Sequence, residues 1–235
     1  MKCAIMQPMY LPWSGYFNLI ATVDHFYYLD DAQYERSTWQ HRNRILLNGK
    51  EQYLSVPVRR DNLGQPICNV KADPIDIAWR RKHAETIRYA YLRTPHGKLL
   101  APIGEIILDE SREGLADLNI ALTEHLCGML RLETPRERSA PLALTVPRSQ
   151  KIIELCRRAK CDEYLSPQGA RDYLAEDRFT ELSEVKLHFQ EFAPAAYAQG
   201  KSEIFVSHLS ILDVIAYLGL DGARRYVLGT MEQNR

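Results

Sequence analysis

Residues 2–20 read KCAIM-QPMYLP-WSGYFNLI, and this stretch decides the fold. The apolar run from Cys3 to Met6 stops at Gln7-Pro8, as a buried strand does when it enters a loop. From Trp13 onward, large apolar residues recur at intervals of three and four, which is typical of one face of a helix. The stretch therefore predicts a strand, a loop and a helix, the first unit of an α/β fold.

The rest of the chain predicts an open, mostly parallel sheet of the Rossmann-like type within a single domain, residues 1–235. Apolar or alternating runs at 25–29, 163–166 and 185–189 indicate further strands. Asn48-Gly49 lies between two strand-like segments and is a strong hairpin signal. Helical spacing dominates a mostly helical insertion at about 75–135.

Further helices are expected along the chain. The predicted helices are 77–93, 100–108, 114–132, 148–160 with Pro147 in its first turn, a short one at 168–175, 209–218 with a stop at Gly219, and a tail helix from Gly222.

The composition is that of an ordinary folded protein. The chain has 235 residues, 46 % of them hydrophobic, with 30 Lys and Arg against 30 Asp and Glu. This neutral balance argues against a protein whose main partner is nucleic acid or an anionic membrane, because that affinity needs a surplus of cations. A local basic pocket stays compatible with it.

Cysteine usage and hydropathy point to the cytoplasm. The five cysteines include no Cys-x-x-Cys pair and no nearby histidine that would complete a zinc site. We find neither a secretory signal nor an apolar run of the roughly 18 to 20 residues that a membrane-spanning helix needs. We expect a reduced, cytoplasmic protein that does not span a membrane and has no bound metal; the sequence identifies no cofactor and no oligomeric state.

The first strand-loop-helix unit holds the main candidate site. Helix N-termini and strand ends meet at the carboxyl edge of a parallel sheet, where nucleotides and phosphates bind. Two groups of side chains are expected there, Gln7, Tyr10, Trp13, Gly15 and Tyr16 after the first strand, and Asp30, Asp31 and Gln33 after the second. The carboxylates and amides would bind hydroxyls or amines. The alternative is a tight turn packed by the aromatic rings, with both aspartates capping a loop.

Three other segments carry candidate binding residues. Arg42, Asn43 and Arg44 would grip a phosphate or carboxylate, or else form a solvated loop. Lys82 and His83 begin a basic helix and would bind phosphate or transfer a proton, although a solvated basic face is equally ordinary. A second strand-turn-helix unit contributes the polar side chains of Tyr164, Ser166 and Tyr173.

The first unit also resembles that of nucleotidylyl transferases of the HxGH class. Pro12 to Tyr16 occupies the place where those enzymes carry His-x-Gly-His, after the first strand and at the start of the first helix. Trp13 and Tyr16 cannot replace two imidazoles that donate hydrogen bonds to phosphate oxygens. The likeness therefore extends to a nucleotide-binding layout and not to the reaction.

Taken together, these motifs resemble the WbqC-like protein family over essentially the whole chain. The resemblance is carried by these motifs: Gln7-Pro8-Met9-Tyr10-Leu11-Pro12-Trp13-Ser14-Gly15-Tyr16-Phe17, Asp30-Asp31-Ala32-Gln33, Arg42-Asn43-Arg44, Tyr164-Leu165-Ser166 with Gly169 and Tyr173, Tyr197-Ala198-Gln199, and Leu209-Ser210-Ile211-Leu212-Asp213. One departure concerns Ser166, which Pro167 follows where the family more often has glycine. This weakens the transfer of a ligand role to Ser166.

The resemblance implies work on nucleotide-linked or lipid-linked sugars in bacterial surface-polysaccharide (O-antigen-type) biosynthesis. The expected function is a transferase that adds an amino acid or acyl group to an amino sugar carried by a nucleotide or another carrier. Asp30 or Asp31 would take the proton, and Arg42 and Arg44 would hold the phosphate or carboxylate. The alternative is a non-catalytic protein that presents a glycan precursor or carrier to a partner enzyme.

Overall fold

A computed structural model of the chain describes residues 1–73, 78–146, 148–200, 202 and 204–230. The strands within these described residues are β1 Lys2–Met6, β2 His25–Tyr28, β3 Arg42–Leu47, β4 Lys50–Ser55, β5 Arg136–Arg138, β6 Glu163–Ser166 and β7 Lys186–Phe189. The α-helices of the same described residues are α1 Ser14–Ala21, α2 Ala78–Tyr91, α3 Ala101–Leu108, α4 Leu115–Met129, α5 Arg148–Arg158, α6 Arg171–Glu176, α7 Phe179–Leu182 and α8 Ile211–Val227.

Five strands form one sheet in the order β5-β2-β1-β6-β7, and every pairing is parallel. This confirms the predicted α/β class with an open parallel sheet. β1 pairs with β2 on one side and with β6 on the other. From β1 the chain adds β2 and β5 on one side of the sheet and then β6 and β7 on the other. The crevice between β1 and β6 is therefore the topological switch point.

The core lies on both faces of this sheet. Ala4 packs into a cluster with residues of α1, α4 and α8, whereas Cys3 and Ile5 pack into a second cluster with residues of α5, α6 and α7. Successive side chains of a strand point to opposite faces, so one short apolar run supplies both layers. β1 is therefore buried on both faces, as its sequence predicts.

The antiparallel hairpin of β3 and β4 stands apart from the main sheet. Asn48 and Gly49 connect its strands, and both have positive φ angles, 53° and 75°. A two-residue turn of this kind matches the twist of the flanking strands. The hairpin prediction is thereby confirmed.

The helical part of the chain follows the hairpin. Helices α2, α3 and α4 lie between residues 78 and 129, and a 3-10 turn, Gly97–Leu100, precedes α3. Ile77, at the predicted start of the first of these helices, lies outside the described residues, as does Pro147. Among the helices of the described residues, none is both long and apolar enough to cross a membrane.

Near the C-terminus, the structure confirms the prediction of a helix that stops at Gly219 and a tail helix that follows it. α8 runs from Ile211 to Val227, with a kink at Gly219, whose φ is 67° and ψ −177°. A Cβ on Gly219 would come within 3.0 to 3.1 Å of the His96 ring. The two helical segments of α8 therefore meet at Gly219, whose backbone is non-helical and is of a kind that glycine adopts without strain.

Candidate functional site

Gln7 and Gln33, both predicted to lie at the carboxyl edge of the sheet, are joined through a third glutamine, Gln40. The Gln40 side chain, almost fully buried, donates from Nε2 to Oε1 of Gln7 at 2.8 Å and to the main-chain oxygen of Gln33 at 3.4 Å. The loops that follow β1 and β2 are therefore linked at this edge. The predicted juxtaposition of Gln7 with the second loop is present, and Gln40 is the link that sequence analysis did not single out.

Tyr10 and His83 come together in the core instead of at an open site. The Tyr10 hydroxyl lies 2.9 Å from Nδ1 of His83, and the two side chains are 0 % and 5 % exposed. Burial, together with the charge of Lys82, lowers the pKa of His83 to about 4. Burial raises the pKa of Tyr10. Both groups are therefore neutral at pH 7 and bond to each other, while Lys82 is exposed on α2.

The two predicted catalytic carboxylates are engaged in ion pairs. Asp30 has no exposed side-chain surface and accepts from Nε of Arg138 at 2.6 Å and from the Ala140 amide at 2.9 Å. Asp31, 15 % exposed, accepts from the Ser139 hydroxyl at 2.5 Å and from Nζ of Lys151 at 2.7 Å. In this geometry the aspartates hold the turn after β5 and the start of α5 against the loop after β2.

The segment 42–44 divides between structural and surface positions. Asn43 is buried and donates from Nδ2 to the carbonyl oxygens of Tyr10 and Leu11, at 3.1 and 2.8 Å. Arg42 donates to the carbonyl oxygen of Ser37 at 2.7 Å. Asn43 therefore fixes the loop after β1, and the two arginines that flank it remain partly accessible to solvent.

Trp13 lies over the first turn of α1. A Cβ on Gly15 would come within 2.2 Å of the indole, so only glycine lets the ring lie there. Tyr16 is buried and its hydroxyl donates to the carbonyl oxygen of Gln7 at 3.2 Å. On the other side of this turn, the Gln190 side chain donates to the carbonyl oxygen of Gly15 at 2.8 Å. The loops after β1 and β7 therefore meet at the N-terminus of α1.

Trp13 belongs to a surface cluster of aromatic and cationic side chains, here called the Trp13 cluster. Its members are Trp13, Trp39, Arg44, Phe192 and His208. The indole lies 4.7 Å from the His208 ring and 5.7 Å from the Phe192 ring, between ring centroids. Cζ of Arg44 lies 5.6 Å from the Trp39 ring centroid. Aromatic faces with an adjacent guanidinium suit a ring-containing ligand that carries a phosphate or carboxylate.

Arg44 connects the hairpin to the segment that carries His208. Its Nη1 donates to Glu51 at 2.6 Å, and its Nη2 lies 3.4 Å from the carbonyl oxygen of His208. The main chain is fastened as well, because the Ser210 amide donates to the carbonyl oxygen of Arg44 at 2.9 Å. Nε of Arg44 is buried and has no hydrogen-bond partner among the described residues. This donor is shielded from solvent, so an anion that binds Arg44 would compete with Glu51 for the outer nitrogens of the guanidinium.

His208 has the properties of a proton acceptor. Partial burial and the charge of Arg44 lower the pKa of its imidazole, which is therefore neutral at pH 7. Nδ1 lies 2.8 Å from the Ser207 hydroxyl. When Nδ1–H donates to that hydroxyl, Nε2 carries the lone pair. The backbone of His208 is left-handed, with φ 58°, a conformation that non-glycine residues seldom adopt and that is enriched at functional sites.

A network of buried hydrogen bonds holds the segment before His208. Gln199 donates from Nε2 to Asp213 at 2.9 Å and to the carbonyl oxygen of Val206 at 3.0 Å, and its Oε1 accepts from the Val206 amide at 2.7 Å. The Tyr197 hydroxyl donates to Asp213 at 2.7 Å. Burial raises the pKa of Asp213. This hydrogen-bond network fixes the backbone that leads to His208.

Tyr164, Ser166 and Tyr173 make their contacts elsewhere. Tyr164 is buried against Phe179, with ring centroids 5.8 Å apart. The Ser166 hydroxyl donates to the carbonyl oxygen of Pro167 at 3.2 Å, and Cζ of Arg148 lies 5.8 Å from the Tyr173 ring. Ser166, at the end of β6, borders the switch point, whereas Tyr164 belongs to the core.

Trp13 and Arg44 were predicted from the sequence, whereas Trp39, Phe192 and His208 of the same cluster were missed. One local signal could have pointed to His208: it lies two residues before Ser210, the N-cap residue of α8. No local pattern brings it to Trp13, because the contact joins opposite ends of the chain. Within the described residues, no three His, Cys, Asp or Glu side chains are grouped so that they could hold a metal ion.

Comparison with known proteins finds similarity to a protein family and to a curated relative. A model of the WbqC-like protein family matches residues 7–225. The curated "Uncharacterized protein Rv1507c" of Mycobacterium tuberculosis (strain ATCC 25618 / H37Rv) is 35 % identical over 184 residues, which covers 77 % of this chain and 79 % of the relative. No solved structure matches this chain.

Proposed function

The chain belongs to the WbqC-like protein family, and we propose that it is a transferase of bacterial surface-polysaccharide biosynthesis. Its substrate is an amino sugar linked to a nucleotide or another carrier, and the transferred unit is an amino acid or acyl group. Two lines of support exist: the family resemblance, which implies work on such sugars, and the Trp13 cluster.

The observation that carries the proposal is the meeting of Arg44, His208 and Trp13. These side chains come from the hairpin, from the segment before α8 and from the loop after β1. They supply a guanidinium, a neutral imidazole next to it and an aromatic face. Binding of an anionic group, removal of a proton and stacking of a ring are the three tasks of a transfer to an amino sugar.

In the proposed reaction, the amine of the acceptor sugar attacks the carbonyl carbon of an activated donor. The new bond joins nitrogen to that carbon, and the bond from the carbon to the activating group breaks. Nε2 of His208 takes the proton from the attacking nitrogen and returns it to the leaving group. Arg44 binds the phosphate or carboxylate through its guanidinium. Trp13 covers the face of the sugar or base.

The alternative is a protein that binds a glycan precursor and presents it to a partner enzyme. One observation favours it: the two carboxylates nominated as bases, Asp30 and Asp31, are already bonded to Arg138 and Lys151. If His208 does not accept a proton, the same cluster would serve binding alone. Turnover, and not affinity, separates the two functions.

A thermal-shift screen of nucleotide sugars, nucleotides, amino acids and acyl donors tests the proposal. A ligand at 100 times its Kd stabilises the fold by about 2.7 kcal/mol, which is roughly 5 to 10 °C for a chain of this size. We expect a nucleotide sugar to produce this shift in the wild type and in Arg59→Gln, and to lose most of it in Arg44→Gln. Arg59 is a matched control because it also pairs with a carboxylate, that of Asp61.

If a nucleotide sugar raised the Tm of the wild type, Arg59→Gln and Arg44→Gln equally, its binding site would lie outside the Trp13 cluster. The absence of any shift would count against a nucleotide-linked substrate. Turnover is then measured by mass spectrometry of the sugar product, with each donor that shifts the protein. A bound sugar without product would favour the presenting function.

A further inference from the structure

Large apolar side chains are exposed along α2 and at the end of α3. Tyr89, Leu92 and Leu108 expose 68 %, 50 % and 48 % of their surface. Leu92 and Leu108 both line one groove between α2 and α3, and Tyr89 lines a neighbouring groove between α2 and the end of β3. Such side chains on the same face of a protein mark a surface that contacts an apolar partner.

The groove between α2 and α3 is apolar and has a volume of about 390 Å³. Its lining includes Ala84, Ile87, Leu92, Leu100, Ala101 and Leu108. Because the walls are mostly helical, their main-chain amides and carbonyls are largely bonded within the helices and offer little to a peptide backbone. An acyl chain needs no such partner.

Cations flank this apolar surface. Arg88 and Lys98 line the apolar groove, and Arg81, Lys82 and Arg88 line the neighbouring one. Arg81 pairs with Glu85. Within the described part of the chain, Lys82, Arg88 and Lys98 have no ion-pair partner, and Glu105 is the other acid in the lining. The chain as a whole is neutral, so this face is locally basic.

We propose that the face formed by α2 and α3 binds the surface of an anionic lipid bilayer. Tyr89, Leu92 and Leu108 enter the interface, an acyl chain occupies the groove, and the cations contact lipid phosphates. An acidic carrier protein would match the cations, and an attached acyl chain would fit the groove, but the exposed Tyr89, Leu92 and Leu108 favour a bilayer, whose interface they can enter. The binding is peripheral, and it goes beyond the proposed function because it adds a partner at residues outside the Trp13 cluster.

Co-sedimentation of the full chain with lipid vesicles tests this proposal. The vesicles contain either phosphatidylcholine alone or phosphatidylcholine with about 30 mol % phosphatidylglycerol. We expect binding to be at least tenfold stronger on the anionic vesicles. The double variant Arg88→Gln/Lys98→Gln should bind them about 25-fold more weakly, since each cation contributes roughly fivefold.

The apolar contribution is tested with Leu92→Ser/Leu108→Ser, which should bind tenfold or more weakly than the wild type. The matched control is Arg157→Gln/Lys160→Gln, which removes two exposed cations from α5 and its end and should bind within twofold of the wild type. All these positions are exposed, so thermal melting should show each variant folded.

Three results would overturn the proposal. The first is no binding to either kind of vesicle, and the second is an equal loss in the α5 control. The third is evidence that something else occupies the same face. This would be binding of an acidic acyl carrier protein without any vesicle binding, or a dimer that light scattering detects in the wild type and not in Leu92→Ser/Leu108→Ser.

Discussion

The ring of His208 lies 4.7 Å from the indole of Trp13, although the two residues come from opposite ends of the chain. An isolated β-bridge between Trp13 and Ser210 aligns their backbones, and the indole in turn rests on Gly15. The position of His208 therefore depends on a glycine in the first turn of α1. This dependence makes the cluster testable by changes that touch neither ring.

Gly15→Ala should displace the indole, because the added Cβ would lie 2.2 Å from the ring. We expect a loss of about 1 to 3 kcal/mol in the free energy of unfolding, as overpacking typically costs. Urea unfolding measures the loss. A change in tryptophan fluorescence of the folded protein should accompany it.

Gly128→Ala is the matched control for this substitution. Gly128 lies in α4, and an added Cβ would meet nothing within 4 Å. Alanine is the better helix former, so this variant should be as stable as the wild type or more stable by up to about 1 kcal/mol. Equal stability of the Gly15 and Gly128 variants would refute the close packing of Trp13 on α1.

Protonation of His83 should lower the free energy of unfolding at acid pH. Its pKa is about 4 in the folded protein and about 6.5 in the unfolded chain. Between these values the unfolded chain binds a proton that the folded protein does not, so stability falls as the pH drops from 6.5 to 4. The contribution is about 3 kcal/mol, fully present above pH 6.5.

Urea unfolding at pH 7.5 and pH 5 measures this effect. His83→Gln should be less stable overall because it disrupts the contact with Tyr10, yet it should lose less stability than the wild type between the two pH values. An unchanged loss in the variant would mean that His83 is not the group responsible.

The two aspartates after β2 should differ in their contribution to stability. Asp30→Asn leaves the Arg138 guanidinium beside a fully buried amide and should cost about 3 kcal/mol. Asp31→Asn acts at a partly exposed pair and should cost about 1 to 2 kcal/mol. Thermal or urea unfolding measures both. An Asp30→Asn protein with wild-type stability would be incompatible with a structural role and would restore Asp30 as a candidate base.

Much of the fold follows from local patterns. The apolar run of β1, the spacing of α1 and the turn at Asn48-Gly49 each specify an element from neighbouring residues. β5 was not predicted, because Arg136-Glu137-Arg138 is three charged residues long. It becomes a strand only because β2 offers an open edge. Tertiary pairing here overrides local propensity.

The candidate site was less predictable than the fold. The loops after β1 and β2 do meet at the carboxyl edge, where Gln40 joins Gln7 to Gln33, and the role of this edge as a ligand site stays a prediction. Tyr10 was expected at an open site, but its partner His83 lies in a packed helix, and together they are buried. Which aromatic side chain faces the core and which the solvent depends on distant segments that no local pattern reveals.

The most direct test of the proposed chemistry is the rate of acyl or aminoacyl transfer by His208→Asn. Asparagine tolerates the left-handed backbone at this position, and His188→Asn, at an exposed histidine on β7, is the control. With the donor and sugar found in the thermal-shift screen, His208→Asn should keep the ligand-induced shift but transfer 10²- to 10⁴-fold more slowly, as loss of a general base predicts. Wild-type transfer by His208→Asn would contradict the role of His208 as the proton acceptor.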